Sequence, residues 1–258
     1  MDQLNSLNET LACSTPWVVA HRGDSRYFPE NTMSSFRSAI EKGAQMLECD
    51  VQLSRDRVPV IIHDASLERT TSGRGKVCEW NFDELRQLDC GSWFSKKFVG
   101  EIILSLNKML EAVSGQVLLN LEIKSESVES ETRPDGIESL LCEMVHEHGL
   151  QRSVLVSSFH HLSLKRLTEH KYSLPVAPLL DRPATLAELQ KLHQDHEAFS
   201  IHQDKRHIDQ LLLQGLKESG IPVLCYTVND PARMRELSEW GITGIISEDP
   251  ELLRKEII

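Results

Sequence analysis

The 258-residue chain is short of positive charge: 28 Lys and Arg stand against 39 Asp and Glu, for a formal net charge of −11. That balance argues against non-specific nucleic-acid binding, which needs cations to neutralise phosphates. It also disfavours docking on an anionic membrane, although a local basic pocket can still recruit an anionic substrate. Cysteine motifs are missing too. Cys13, Cys49, Cys78, Cys90, Cys142 and Cys225 are scattered, with no C-x-x-C pair and no Cys/His set at zinc spacing. Free thiols in a reducing compartment are expected, not a disulfide framework. No apolar run approaches the ~20 residues of a membrane-spanning helix. The start, Met1 to Glu9, has neither the basic nor the apolar region of a secretory signal. The expected location is the cytoplasm, with no stable membrane association. No Gly-x-Gly-x-x-Gly follows an apolar run and no P-loop is present, which argues against a nucleotide-binding open sheet. Internal repeats and low-complexity segments are absent as well.

What the chain does have is alternation. Short apolar runs begin near residues 17, 46, 117, 153, 175, 197, 222 and 244, and amphipathic helical patterns separate them. Asn31-Thr32, for instance, can cap a helix that runs to about Lys42, with Gly43 as its stop. Eight strands alternating with helices in about 250 residues imply an α/β fold, a closed (β/α)8 TIM barrel. Residues 1–258 are expected to form one domain. Residues 65–105 break the rhythm with loop chemistry, so they are read as an ordered insertion after the second strand, placed over the site.

The second strand opens the most informative stretch, residues 46–64. Two apolar runs flank the polar turn Ser54-Arg55-Asp56-Arg57, the pattern of strand, tight connection and strand. The connection is too short for a parallel crossover, so the return strand, residues 58–63, is antiparallel. Glu48 and Asp50 share one side of the first strand, and the fold about Asp56 sets His63 opposite them.

Barrel enzymes carry their chemistry at the carboxyl ends of the strands. The polar residues expected there are His21, Arg22, Glu48, Asp50, His63, Glu122 and Lys124. Three carboxylates, Glu48, Asp50 and Glu122, make an oxygen-only set that suits Mg2+ or Ca2+ rather than zinc. The bland alternative pairs them with Arg22 and Lys124 as structural salt bridges. His21 and His63 singly are often satisfied core residues; flanking a metal, they suit the two proton transfers of phosphoryl chemistry. Arg22 offers a planar fork for two phosphate oxygens, Lys124 a point charge. Trp93, Phe94 and Tyr226 are candidate substrate walls, with core packing the expected role of at least one. The other histidines, His202 among them, show no ligand spacing and are expected on helices or loops.

His21-Arg22-Gly23, Pro29-Glu30-Asn31-Thr32, Glu48-x-Asp50, His63-Asp64 and Leu121-Glu122-Ile123-Lys124 together resemble the glycerophosphodiester phosphodiesterase family, in its bacterial cytoplasmic type. Ser157-Ser158-Phe159, Thr227-Val228-Asn229 and Gly244-Ile245-Ile246 extend the resemblance along almost the whole chain. It implies a barrel with an insertion, and hydrolysis of a small-molecule glycerophosphodiester to sn-glycerol 3-phosphate and an alcohol. By the same resemblance Glu48, Asp50 and Glu122 hold one divalent cation, His21 and His63 are the acid/base pair, and Arg22 and Lys124 bind phosphate. The glycerol 2-hydroxyl then attacks phosphorus to give a cyclic phosphate that water opens. Tyr226, Leu104-Ser105-Leu106 and Thr243 depart from the family pattern, which puts head-group preference in doubt rather than the reaction. Three other readings stay open: a lysophospholipase D, a phosphatidylinositol-type phospholipase C, and a non-catalytic barrel that binds phosphodiesters. Self-association as a homodimer is open too.

Overall fold

The computed structural model describes residues 6–11 and 15–258, so Cys13 lies outside the described residues. In chain order the elements begin with α1 (Leu7–Leu11), β1 (Trp17–His21), α2 (Met33–Glu41), β2 (Met46–Leu53), β3 (Pro59–Ile61), α3 (Phe82–Leu85), β4 (Leu104–Ser105) and α4 (Leu106–Val113). Strand and helix then alternate strictly: β5 (Leu118–Ile123), α5 (Ile137–Glu147), β6 (Val154–Ser158), α6 (His161–Glu169), β7 (Val176–Leu180) and α7 (Leu186–Asp195). The chain closes with β8 (Ile201–Asp204), α8 (Gln210–Glu218), β9 (Val223–Tyr226), α9 (Pro231–Glu239), β10 (Gly244–Ser247) and α10 (Pro250–Ile257).

Eight of the strands pair in parallel in the order β1, β2, β5, β6, β7, β8, β9, β10, and β10 returns to β1. The result is the expected closed TIM barrel. Strand β2 has two pairing zones. Its first half bonds to β1 through Val19↔Met46 and His21↔Glu48, whereas Val51 to Leu53 face the antiparallel β3. The return strand, Pro59–Ile61, is shorter than residues 58–63, although the Ile62 N–H still donates to Asp50 O at 3.0 Å. A strand not anticipated, β4, pairs with the far edge of β3.

Side-chain alternation explains why these runs close on themselves. On β1, Val18 and Ala20 face the surrounding helices, whereas Trp17 and Val19 point inward to meet Met46, Leu118, Leu155, Ala177, Leu224 and Ile246. That inner apolar plug fills the amino-terminal end of the barrel. Along the same inward period the side chains then turn polar, through His21, Glu48, Asp50, Asn120, Glu122 and Ser157. The apolar-to-polar change along one face places the site. Between β3 and β4 the chain keeps a small core of its own, in which Leu67, Val77, Leu85 and Cys90 pack on Val60 and Ile62.

The sixth barrel strand begins later than the apolar run near 197 suggests. Ala198 and Phe199 lead into the strand rather than forming it, and β8 starts at Ile201. His202 is therefore on a strand, contrary to the expectation of a helix or loop. It is wholly buried and in register with inward-facing Leu179 and Leu224, and its Nε2 lies 3.2 Å from Ser200 Oγ. Burial pushes its pKa down to about 3, which keeps the imidazole neutral. Cys49, Cys78, Cys90, Cys142 and Cys225 are free thiols. Among the described residues, no helix is long and apolar enough to cross a membrane.

Candidate active site

The end of β1 turns sharply. Arg22 adopts φ 56° and Gly23 φ 83°, and a Cβ on Gly23 would stand 2.4 Å from Ser35 Oγ and 2.7 Å from the Ser35 carbonyl carbon. Only glycine fits between this turn and α2. The turn aims the Arg22 backbone N–H at Glu48, to whose Oε2 it donates at 3.0 Å, and swings the guanidinium over Asp50, with Nε 3.2 Å from Oδ2.

Glu48 and Asp50 project inward from β2, and Glu122 stands beside Asp50 across the β2–β5 pairing. One oxygen from each of the three lies within 4.8 Å of the others. Glu48 and Asp50 are almost wholly buried. Asp50 is the best compensated. It accepts from Asn31 Nδ2 at 2.8 Å and faces Arg22 and the Lys124 ammonium, the latter at 3.3 Å. Burial acts to raise its pKa, but these cations outweigh it and hold the carboxyl well below the usual carboxylate range. Glu48 and Glu122 go the other way. Burial first, and then the neighbouring carboxylates, push both up, although Lys124 donates to Glu122 Oε1 at 2.7 Å.

The salt bridges of the bland alternative thus exist, yet they do not balance the cluster. Arg22 is shared with Glu30, Lys124 is shared between Asp50 and Glu122, and Glu48 Oε1 is buried without a hydrogen-bond donor among the described residues. A buried acceptor left over among like charges is costly, and a small dication would satisfy it. The all-oxygen donor set fits Mg2+ or Ca2+.

His21 and His63 approach this cluster from different elements. His21 Nε2 lies 4.0 Å from Glu48 Oε2, and Nδ1 lies 3.9 Å from Glu248. Burial, reinforced by the Arg22 guanidinium, pushes the His21 pKa down to about 3, so its ring is neutral at ordinary pH. His63 Nδ1 sits 2.6 Å from Asp64 Oδ1, which leaves Nε2 free of that contact. Its backbone is pinned by Gln52, whose amide nitrogen lies 3.0, 2.9 and 2.8 Å from the carbonyls of Ile62, His63 and Asp64.

Tyr226 ends β9 on the inner face of the barrel; its hydroxyl donates to Leu180 O at 2.7 Å and its ring meets Phe159 edge-on. Trp93 is 40% exposed, donates to Cys90 O at 2.7 Å, and packs against Phe94 within its own segment. Neither phenol nor indole is left as an unpaired polar group.

Glu30, Asn31, Gln52 and Asp64 received no catalytic or binding role of their own from the sequence, yet each touches a candidate group, and Arg69 touches both Glu30 and Asp64. Gln52 had a signal: it continues the every-second-residue series of Glu48 and Asp50. Asn31 also had one, its place in Pro29-Glu30-Asn31-Thr32; its φ of 59° suits asparagine, and its side chain reaches Asp50. Arg69 had none; its contacts exist only once residues 65–105 fold back on the barrel.

Known proteins resemble this chain over most of its length. The chain is 37% identical over 237 residues to a glycerophosphodiester phosphodiesterase of Caldanaerobacter subterraneus, covering 92% of this chain and 95% of that protein. A Bacillus subtilis protein described as a putative glycerophosphodiester phosphodiesterase is 31% identical, with 93% and 97% covered. Among solved structures, an Oleispira antarctica phosphodiesterase in complex with the product sn-glycerol-3-phosphate superposes with a TM-score of 0.86 at 30% identity, covering 94% of this chain and 96% of that one. A glycerophosphodiester phosphodiesterase of Agrobacterium tumefaciens gives a TM-score of 0.80 at 26% identity, with 93% and 99% covered. The model of the glycerophosphoryl diester phosphodiesterase family matches residues 21–252, and the chain belongs to that family.

Proposed function

We propose that this enzyme, a phosphoric diester hydrolase, cleaves glycerophosphodiesters to sn-glycerol 3-phosphate and an alcohol with the help of one divalent cation. The observation that carries the reading is the excess of buried carboxylate at the barrel end, with Glu48 Oε1 lacking a donor. Glu48, Asp50 and Glu122 would hold the ion, Mg2+ or Ca2+. When bound, it would supply charge neutralisation at the phosphate and acidity toward a substrate hydroxyl. Residues 1–258 then act as a single phosphodiesterase domain, with 65–105 as an insertion beside the site.

The chain's own groups divide the remaining work. Arg22 and Lys124 receive the phosphate oxygens. His21, neutral because of its burial, takes the proton from the glycerol 2-hydroxyl as that oxygen attacks phosphorus. His63 gives a proton to the departing alcohol oxygen as the P–O bond breaks. A cyclic phosphate results, and the two imidazoles exchange roles when water opens it. Tyr226 and Trp93 are assigned to the substrate wall. The Oleispira structure with sn-glycerol-3-phosphate supports the identity of the product. Replacing either histidine by alanine is expected to lower kcat by about 10²–10⁴-fold while circular dichroism and Tm stay near wild type. Substantial turnover in His21→Ala or His63→Ala would remove the two-histidine scheme.

A further inference from the structure

Arg69 lies between β3 and β4, outside the barrel proper, and its guanidinium spans two carboxylates of the barrel end. Nη1 and Nη2 donate to Glu30 Oε2 and Oε1 at 2.7 and 2.9 Å. Nε and Nη2 donate to Asp64 Oδ2 and Oδ1 at 2.5 and 3.1 Å. Each carboxylate passes the constraint on. Asp64 Oδ1 lies 2.6 Å from His63 Nδ1, whereas Glu30 Oε1 accepts from Arg22 Nη1 at 2.9 Å. An unbroken series of contacts therefore joins His63, Asp64, Arg69, Glu30 and Arg22.

We propose that Arg69 is a positioning residue: through Asp64 it fixes the tautomer and plane of His63, and through Glu30 it fixes the plane of Arg22. The inference rests on the reading of His63 as a proton-transfer group and Arg22 as a phosphate ligand. With Asp64 held by Arg69, the Nδ1–H of His63 stays on Asp64 throughout, so the proton that His63 gives to the leaving oxygen and later regains is the one on Nε2, and the ring left after the transfer is the Nδ1–H tautomer. A lysine would keep the charge, but not the planar set of donors that grips two carboxylates at once. The side chain of Arg69 is 43% exposed, and exposed ion pairs add little to stability. Losing Arg69 should therefore disturb the reaction more than the fold.

The test uses the metal-loaded enzyme and two readouts, steady-state kinetics and the 15N signals of the His63 ring. In Arg69→Ala, kcat is expected to fall about 10–100-fold, the range for losing a partner that orients a site group, with a smaller change in KM. In its neutral form the His63 ring should move from a single Nδ1–H pattern to a mixture of tautomers, and Arg69→Lys should recover only part of either signal. The proposal is overturned if kcat stays within about twofold of wild type, or if the His63 signals do not move. Should Arg69→Ala fail to fold, Arg69→Lys is read by the same two signals with the same criteria. Failure here is distinct from failure of the two-histidine scheme, which an active His63→Ala variant reveals on its own.

Discussion

Glu48 illustrates how single residues divide between structure and chemistry. Its Oε2 is held by the Arg22 backbone N–H, and its Oε1 has no donor among buried like charges. Two charges 4 Å apart at an effective dielectric of 20 repel by up to ~4 kcal/mol, much of which protonation and Arg22 relieve. Glu48→Gln keeps an acceptor for Arg22 and removes one charge. In metal-free protein it should raise Tm by about 2–4 °C, as expected for a gain of about 1 kcal/mol in a chain of this size. Wild type should gain stability on adding Mg2+ or Ca2+, by about 2.7 kcal/mol at a hundredfold excess over Kd, and the variant should gain far less. Thermal melts with and without ion check both signs; a variant stabilised by the ion as much as wild type would remove Glu48 from the ion's ligands. The carboxylates, histidines and Arg22 were legible because they sit at fixed steps from apolar runs. Glu30, Asp64 and Arg69 stand out only by their contacts with one another and with Arg22 and His63, and no periodicity reports a side chain's partner.

At the level of elements, β2 carries the most information. Its inward series places Met46 in the apolar plug, then Glu48 and Asp50 among the carboxylates, and Gln52 beneath the His63 backbone. One strand thus sets both the ion's candidate ligands and the height of a candidate proton-transfer group. The hairpin was readable from its polar turn, but the strand proper is only Pro59–Ile61; Ile62 keeps one bond to Asp50 O, and beyond it Gln52 holds the carbonyls of His63 and Asp64. Strand β4 is only two residues long and has no alternation to detect; it exists because β3 offers a free edge. The late start of β8 has a similar cause. Apolar residues before a strand look like the strand itself, and only pairing with β7 and β9 decides which of them belong.

Across the whole molecule, the alternation of strands and helices revealed the barrel, whereas the polar residues buried inside it away from the predicted cluster were not apparent. His202 is the clearest case. Its ordinary pKa of 6.5 falls to about 3 on burial, so below pH 6.5 the unfolded chain binds a proton that the folded chain refuses. The sign follows: the stability contributed by the neutral ring is fully present above about pH 6.5 and is lost as pH falls towards 3. From pH 7 to pH 4.5 the loss from this residue amounts to roughly 3 kcal/mol. Urea unfolding across that range should show the decline in wild type and a shallower one in His202→Gln. Equal slopes in the two proteins would contradict the burial argument.

The central claim is that the carboxylates of the barrel end serve a cation needed for phosphodiester hydrolysis. Its most direct test is the release of sn-glycerol 3-phosphate from glycerophosphocholine by protein stripped with EDTA and dialysed, before and after Mg2+ or Ca2+ is restored. The account predicts no product from the stripped protein and recovery with at least one of the two ions. Full turnover without an ion, or none with either, would contradict it.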